Sequence, residues 1–141
     1  MAGTFRTPVS SMDDSQKEWF ASALVSMVLA DGDVSAGEVE SLMASLSFLK
    51  SPDSVDRLKK YIQYKTVPVL PSFIGWERHP ERKASMLVDL IHVGIADRDL
   101  SPKEQQQFHH IGGMLGFSKD KVELVLQKGI RVMAQMGEAG A

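Results

Sequence analysis

Two stretches of the chain, 66 positions apart, share one order of apolar, acidic and helix-capping residues. Residues 24–38 read LVSMVLADGDVSAGE, and residues 90–104 read LIHVGIADRDLSPKE. Each stretch has an apolar run that ends in Ala-Asp, then a short acidic turn, then a Ser-x-x-Glu sequence. Chance does not readily supply matched polar residues, apolar residues and helix caps together, so we interpret the pattern as an internal duplication.

Apolar residues recur at steps of three and four along most of the chain, which is the spacing of one face of a helix. The first such stripe consists of Trp19, Phe20, Ala23, Leu24, Met27 and Val28. No segment shows the period-two alternation that a half-buried strand requires. The pattern predicts an all-α protein with helices near residues 15–30, 36–49, 52–65, 81–96, 102–115 and 119–136.

Sequence signals for helix ends agree with these ranges. The capping box pairs a serine hydroxyl with the third helical N–H while a glutamate reaches back to the serine N–H. It is predicted for Ser15–Glu18, Ser35–Glu38 and Ser101–Glu104. Proline at a first helical position and glycine just after a last one are further boundary signals. These occur at Ser51-Pro52, at Pro102 and at Gly116, where Ser118 then caps the last helix.

The duplication predicts how the chain is organised. We expect one domain over residues 1–141, a compact bundle of about six to seven helices. Two three-helix halves, residues 15–65 and 81–136, would be related by an approximate two-fold axis. Residues 66–80, with three prolines, would connect them. The ends, residues 1–13 and 137–141, are expected to be flexible.

Composition excludes several classes of function. The 141 residues carry a net charge of −2, which argues against nucleic-acid binding because that needs a basic surface. The absence of cysteine excludes thiolate metal sites and thiol nucleophiles. No catalytic or nucleotide-binding motif is present, so we expect no enzymatic activity. With neither a signal peptide nor an apolar run of about 20 residues, the expected location is the cytoplasm.

The two acidic turns are the candidate site. An aspartate at the C-terminal end of a helix is unfavourable because the macrodipole is already negative there, so something should compensate it. A divalent cation such as Ca²⁺, Mg²⁺ or Mn²⁺ would do so, since these ions prefer hard oxygen ligands. The candidate ligands are Asp31, Asp33, Glu38, Asp97, Asp99 and Glu104. The alternative is that these acids only cap the helices that follow.

The duplicated Ala-Asp-Gly-x-x-Ser-x-x-Glu element resembles that of the tellurite-resistance TerB family, a module also found in some membrane-tethered DnaJ-like co-chaperones. The resemblance covers roughly residues 15–130 and includes the Leu115-Gly116-Phe117 stop. It implies an all-α fold of two halves with an acidic, metal-binding surface. It also implies a role in bacterial tellurite or stress resistance, through protein complexes near the inner membrane. The positions it marks are Asp31, Glu38, Asp97 and Glu104.

Other residues offer second candidates for recognition. The connector carries Phe73, Ile74 and Trp76, which either pack over the helices or form a contact surface. We expect the basic residues of the third helix to form a solvated face, with a contact to an anionic membrane as the alternative; they are Arg57, Lys59, Lys60 and Lys65. Met86 is expected at the edge of the core, and His92 is expected to be partly buried and hydrogen-bonded.

Overall fold

The computed structural model describes residues 6–30, 32, 36–94 and 101–139, without the side chains of residues 38, 41, 93, 94 and 132–139. In these ranges the chain is all-helical and contains no strand, which confirms the predicted fold class. The α-helices are α1 (Asp14–Leu29), α2 (Ala36–Ser45), α3 (Pro52–Gln63), α4 (Pro80–Gly94), α5 (Pro102–Met114) and α6 (Lys119–Ala139). Short 3-10 turns occupy Val9–Ser11 and Leu46–Phe48.

Helix α1 lies at the centre of the bundle. It packs against α2, α3, α4 and α5, and α6 covers α4 and α5 from the other side. Its apolar residues are buried around almost the whole circumference, including Phe20, Ala21, Leu24 and Val25. A helix that is apolar all round is expected in the interior rather than at a surface. The three-and-four stripe read from the sequence therefore describes only part of the buried surface of α1.

The starts of the helices follow the spacing of the sequence repeat. Helices α4 and α5 each begin 66 positions after α1 and α2, and α6 begins 67 positions after α3. The two-fold relation between the halves stays a prediction. Met86, expected at the edge of the core, is completely buried on α4, because α4 packs against α1, α5 and α6 together.

One predicted helix cap is wrong. Helix α1 is capped by Asp13, not by Ser15: the Asp13 carboxylate accepts from the Gln16 N–H at 2.8 Å. The Gln16 side chain in turn accepts from the Asp13 N–H at 3.0 Å. Asp13 and Gln16 have the same spacing as Ser15 and Glu18, two positions earlier, and aspartate is at least as good a cap as serine. Glu18 is thereby left available for contacts with α3.

The cap predicted for α5 is confirmed, and so are the other boundary signals in described residues. The Ser51 hydroxyl accepts from Ser54 N–H, and Ser118 accepts from Lys121 N–H. Gly116 has φ +92°, a left-handed conformation that glycine adopts without strain. There Phe117 N–H donates to Gly112 carbonyl at 3.0 Å, the bond that closes a Schellman motif.

Two predicted helices end earlier than the periodicity indicated. The second was predicted to reach residue 49, but the α-helix stops at Ser45 and a 3-10 turn follows. Ser51 must be extended because proline disfavours helical geometry in the residue before it, and this one has ψ 118°. Helix α3 stops at Gln63 rather than at residue 65, where Lys65 has φ +51°.

Candidate functional site

Most of the predicted acidic site lies outside the described residues. Asp31, Asp33, Asp97 and Asp99 are not among them, and Glu38 is described only as a backbone position in the first turn of α2. Within the described ranges, no group of three His, Asp or Glu side chains is arranged to hold a metal ion. The structure therefore gives the positions of the flanking helices and of Glu104, and it leaves the proposed cation site a prediction.

Glu104 lies in the first turn of α5 and forms the predicted capping box. Its carboxylate accepts from Ser101 N–H at 3.0 Å, and its own N–H donates to the Ser101 hydroxyl at 3.2 Å. The side chain is buried, with 8% of its surface exposed. A carboxylate at this place is stabilised by the positive end of the helix dipole. Glu104 is therefore engaged, as the third helical residue, in the capping box of α5.

The chain leaves α1 through a tight turn at Gly32, within the first acidic segment. Gly32 N–H donates to the Leu29 carbonyl at 3.0 Å. Gly32 has φ +75°, is exposed, and has no neighbouring atom within 4 Å of the position that a Cβ would take. The turn therefore faces open space on the side of Gly32. In the second acidic segment Arg98 occupies the equivalent position.

A side-chain contact links the helices that flank the two acidic segments. The Gln107 amide of α5 donates to the Ser26 hydroxyl of α1 at 3.0 Å, and that hydroxyl donates to the Ala23 carbonyl at 2.7 Å. Ser26 lies three residues before the end of α1, and Gln107 lies five residues after the start of α5. At 1.5 Å per residue, each of these helix ends lies within about 8 Å of the contact along its own axis.

A charged network between α1 and α3 was not expected from the sequence. Glu18 accepts hydrogen bonds from the Ser54 hydroxyl and the Arg57 guanidinium. The Ser54 hydrogen bond, together with the charge and hydrogen bond of Arg57, lowers the pKa of Glu18. Of the four basic residues of the predicted solvated face, which are all exposed, Arg57 is thus engaged in an ion pair. The sequence analysis had interpreted Glu18 as part of a capping box with Ser15 and not as a partner of α3.

The connector aromatics are mainly structural. Phe73 and Trp76 are both 8% exposed, whereas Ile74 is 82% exposed. Phe73 lies edge-on to Trp19 of α1, with ring centroids 5.1 Å apart, and 5.5 Å from the ring of Trp76. The Trp19 indole N–H donates to the Pro71 carbonyl at 2.7 Å. Of the three residues suggested as a contact surface, only Ile74 is presented to solvent.

A cleft of about 300 Å³ lies between α1, α3 and the connector. Glu18, Trp19, Arg57, Tyr61 and Pro71 are among the residues that line it. Its two opposite charges, Glu18 and Arg57, are paired with each other. The cleft therefore offers hydroxyl and aromatic contacts without an excess of either charge.

The histidines do not assemble a site. His109 Nε2 lies 3.5 Å from a Glu123 carboxylate oxygen, and His79 Nδ1 lies 3.3 Å from one of Glu81. His110 is exposed. His92, expected to be partly buried, is exposed instead because its side of α4 opens into a surface cavity. The apolar neighbours of His92 in the sequence predicted the wrong burial because successive helical side chains point about 100° apart, so buried Leu90 and Ile91 do not imply a buried His92.

Comparison with models of protein families gives a match. The model of the family described as "Tellurite resistance protein TerB" matches residues 17–127. No curated protein and no solved structure matches the chain. No helix in the described part of the chain is both long enough and apolar enough to cross a membrane. The family match includes both acidic segments and all but the ends of the helical bundle, and the chain therefore belongs to the tellurite resistance protein TerB family.

Proposed function

We propose that this chain is a non-enzymatic binding module that acts in tellurite or stress resistance by binding a divalent cation or a basic partner. The cation would be Ca²⁺, Mg²⁺ or Mn²⁺, because carboxylate oxygens suit these hard ions. The proposed ligands come from both acidic segments and are Asp31, Asp33, Glu38, Asp97, Asp99 and Glu104.

The observation that carries this proposal is that the family match runs through both acidic segments, over residues 17–127. The contact between Ser26 and Gln107 supports it, since it holds the helix that leads into the first segment against the helix that follows the second. If the two segments lie close together, their six carboxylates would repel one another, and Arg98 alone would not balance them, so further positive charge would be needed. A bound cation or a basic side chain of a partner would supply that charge.

Calorimetric titration tests the cation. We expect Ca²⁺, Mg²⁺ or Mn²⁺ to bind saturably to the wild-type chain and to bind at least about tenfold more weakly to Asp31→Asn/Asp97→Asn, because each substitution removes a charged ligand. The matched control is Asp53→Asn/Asp120→Asn, which removes the same charge from the first turns of α3 and α6. Absence of saturable binding at millimolar metal would eliminate the cation and leave the basic partner.

A second candidate is an interaction scaffold in which the acids only cap helices, and the Ser101–Glu104 box favours it. On this reading, replacing a capping acid lowers the free energy of unfolding by about 0.5–2 kcal/mol and leaves partner binding unchanged. Denaturant unfolding of Glu104→Ala and of Asp31→Ala/Asp97→Ala, measured beside metal titrations of the same variants, separates the two, because alanine removes the capping oxygen that Gln or Asn would keep. Loss of metal binding without loss of stability rejects the scaffold.

The proposed setting is the bacterial cytoplasm, with protein partners and a peripheral association with the inner membrane. The support for this setting is membership of the TerB family. Fractionation of cells that express the chain, with and without tellurite, tests it. Recovery with the membranes that is reversed by high salt would fit a peripheral association.

A further inference from the structure

A cavity opens at the surface of α4 beside His92. It has a volume of about 250 Å³ and lies between the N-terminal segment, α4 and α6. Its lining comprises Arg6, Val88, Ile91, His92, Val125 and Lys128, with Gly129 at the contact between the helices. Its chemistry divides into an apolar floor and a basic rim.

The floor forms where α6 lies unusually close to α4. A Cβ on Gly129 would lie 2.8 Å from two carbon atoms of Ile91, closer than side chains tolerate. Ile91 is 2% exposed, while Val88 and Val125 are half-buried beside it. The cavity thus presents a small apolar surface that only glycine at position 129 allows the two helices to build.

The rim of the cavity is basic. Arg6, His92 and Lys128 come from three separate segments and are all exposed. No acidic residue belongs to the lining, and none of the three side chains is in an ion pair within the described part of the chain. Unpaired cations at the mouth of a low-dielectric cavity attract anions into it.

The position of Arg6 is fixed by a hydrogen-bonded clip. The carboxylate of Asp89 on α4 accepts from Arg6 N–H at 3.0 Å and from Thr7 N–H at 2.8 Å. It also accepts from the Thr7 hydroxyl, and both Thr7 and Asp89 are almost completely buried. Asp89, which follows Val88 of the lining, is therefore occupied by these donors, and it holds the segment that carries Arg6 in place.

We propose that this cavity binds a small amphiphilic anion, a medium-chain carboxylate, with its head between Arg6 and Lys128 and its tail on Ile91 and Val125. His92 adds a further hydrogen-bonding nitrogen at the rim. The volume lies just below the range of about 300–1,000 Å³ typical of ligand sites, so it suits a short tail rather than a long acyl chain. Each methylene that leaves water strengthens binding about fourfold.

The probe is sodium octanoate below its micellar concentration, titrated into the full-length chain and followed by calorimetry and by amide chemical shifts. We expect saturable binding, with shifts at residues around the cavity. Acetate lacks the tail and octanol lacks the charge, so each should bind at least about tenfold more weakly. Octanol or acetate binding as tightly as octanoate would overturn the proposal.

Substitutions in the basic rim and in the apolar floor test the two parts of the cavity separately. Arg6→Gln/Lys128→Gln should weaken the binding of octanoate severalfold, since each exposed charge pair contributes up to about fivefold. Arg78→Gln/Lys103→Gln removes the same charge from exposed residues outside the cavity and should leave binding unchanged. Val125→Asp, which places a charge on the floor, should abolish the binding of octanoate. Urea unfolding of this variant checks that it is still folded. Equal binding by the two charge variants would overturn the proposal.

Vesicles distinguish a free amphiphile from a lipid surface. Neutral phosphatidylcholine vesicles and vesicles with anionic phosphatidylglycerol are mixed with the chain and sedimented. We expect octanoate to bind in solution without lipid. Sedimentation with anionic vesicles, combined with no binding of octanoate, would overturn the proposal in favour of a membrane-contacting face.

Discussion

Glu18 of α1 accepts hydrogen bonds from Ser54 and Arg57, which lie 36 and 39 positions later in the chain. The Ser54 hydrogen bond is the largest cause of its lowered pKa, and Arg57 adds a hydrogen bond and a favourable charge. In the unfolded chain these partners are separated, so the carboxyl there titrates near its ordinary value of 4.5. The protonation of Glu18 is therefore linked to folding.

This linkage predicts a pH-dependent effect of Glu18→Gln. A carboxyl whose pKa is lower in the folded state contributes stability above its unfolded pKa and loses it as pH falls through the folded pKa. We therefore expect the variant to unfold at a lower urea concentration than wild type at pH 7. This gap between the two urea midpoints should shrink below about pH 4.5. Urea unfolding at several pH values between 7 and 3 measures it.

The control for this prediction is Glu40→Gln, which removes the same charge from an exposed position on α2. Because Glu40 is exposed, its replacement should change the free energy of unfolding by no more than about 0.5 kcal/mol. A gap for Glu18→Gln that stays constant from pH 7 to pH 3 would contradict the linkage and reduce the network to a surface contact.

Contacts between individual side chains were the part of the structure that was hardest to predict from the sequence. The clip between Asp89 and Thr7 joins positions 82 apart, and neither residue type nor local spacing marks it. Met86 and His92 were misplaced for a related reason, because burial depends on which helices later cover each side of α4. The candidate acids were identifiable from spacing alone, and of their described side chains only Glu104 has a geometry to compare.

At the scale of elements, helix starts were predictable because caps are local. Ser101 and Glu104 pair within four residues, so nothing distant had to be known. The same locality explains the error at α1. Two overlapping windows, Asp13–Gln16 and Ser15–Glu18, both place a good cap residue three positions before Gln or Glu, so local spacing does not distinguish them. The packing of Glu18 on α3, which is not local, decides between them.

Two adjacent glycines give a prediction about the contact between α5 and α6. A Cβ on Gly112 would overlap the methyl groups of Val122, which is itself buried, whereas a Cβ on Gly113 would meet nothing within 4 Å. We expect Gly112→Ala to lower the free energy of unfolding by about 1–2 kcal/mol, since overpacking exceeds the gain in helix propensity. Gly113→Ala should raise it by up to about 1 kcal/mol.

Chemical unfolding of the two variants measures these changes, and each is the control for the other because both add one methyl group to the same helix. Restoring room with Gly112→Ala/Val122→Ala should not return full stability, since it removes two buried methyl groups. Equal effects of the two single substitutions would contradict the close approach of α5 to α6 at Gly112.

At the scale of the whole molecule, the connector links α1 to the end of α5. Phe73 N–H donates to the Met114 carbonyl at the end of α5, at 3.0 Å. On the other side, Gln16 of α1 donates to the Ile74 carbonyl at 3.0 Å, and Trp19 donates to Pro71. The prolines indicated a connector but not where it would pack, because its partners lie more than 40 positions away on each side.

This arrangement predicts that neighbouring connector residues differ sharply in their effect on stability. Phe73 is buried between Trp19 and Trp76, so Phe73→Ala should lower the free energy of unfolding by about 3–4 kcal/mol. Ile74 is mostly exposed and uses only its carbonyl, which Ile74→Ala retains, so its effect should stay within about 0.5 kcal/mol. Urea unfolding followed by tryptophan fluorescence and by circular dichroism measures both.

The two signals also test whether the connector couples the helices on either side of it. Both tryptophans contact Phe73, so fluorescence reports the connector, whereas circular dichroism reports all the helices. If the connector couples them, the two signals should show one transition in wild type and in Phe73→Ala, at lower urea in the variant. A fluorescence transition that moves while the dichroism stays in place would mean that the helices fold without the connector.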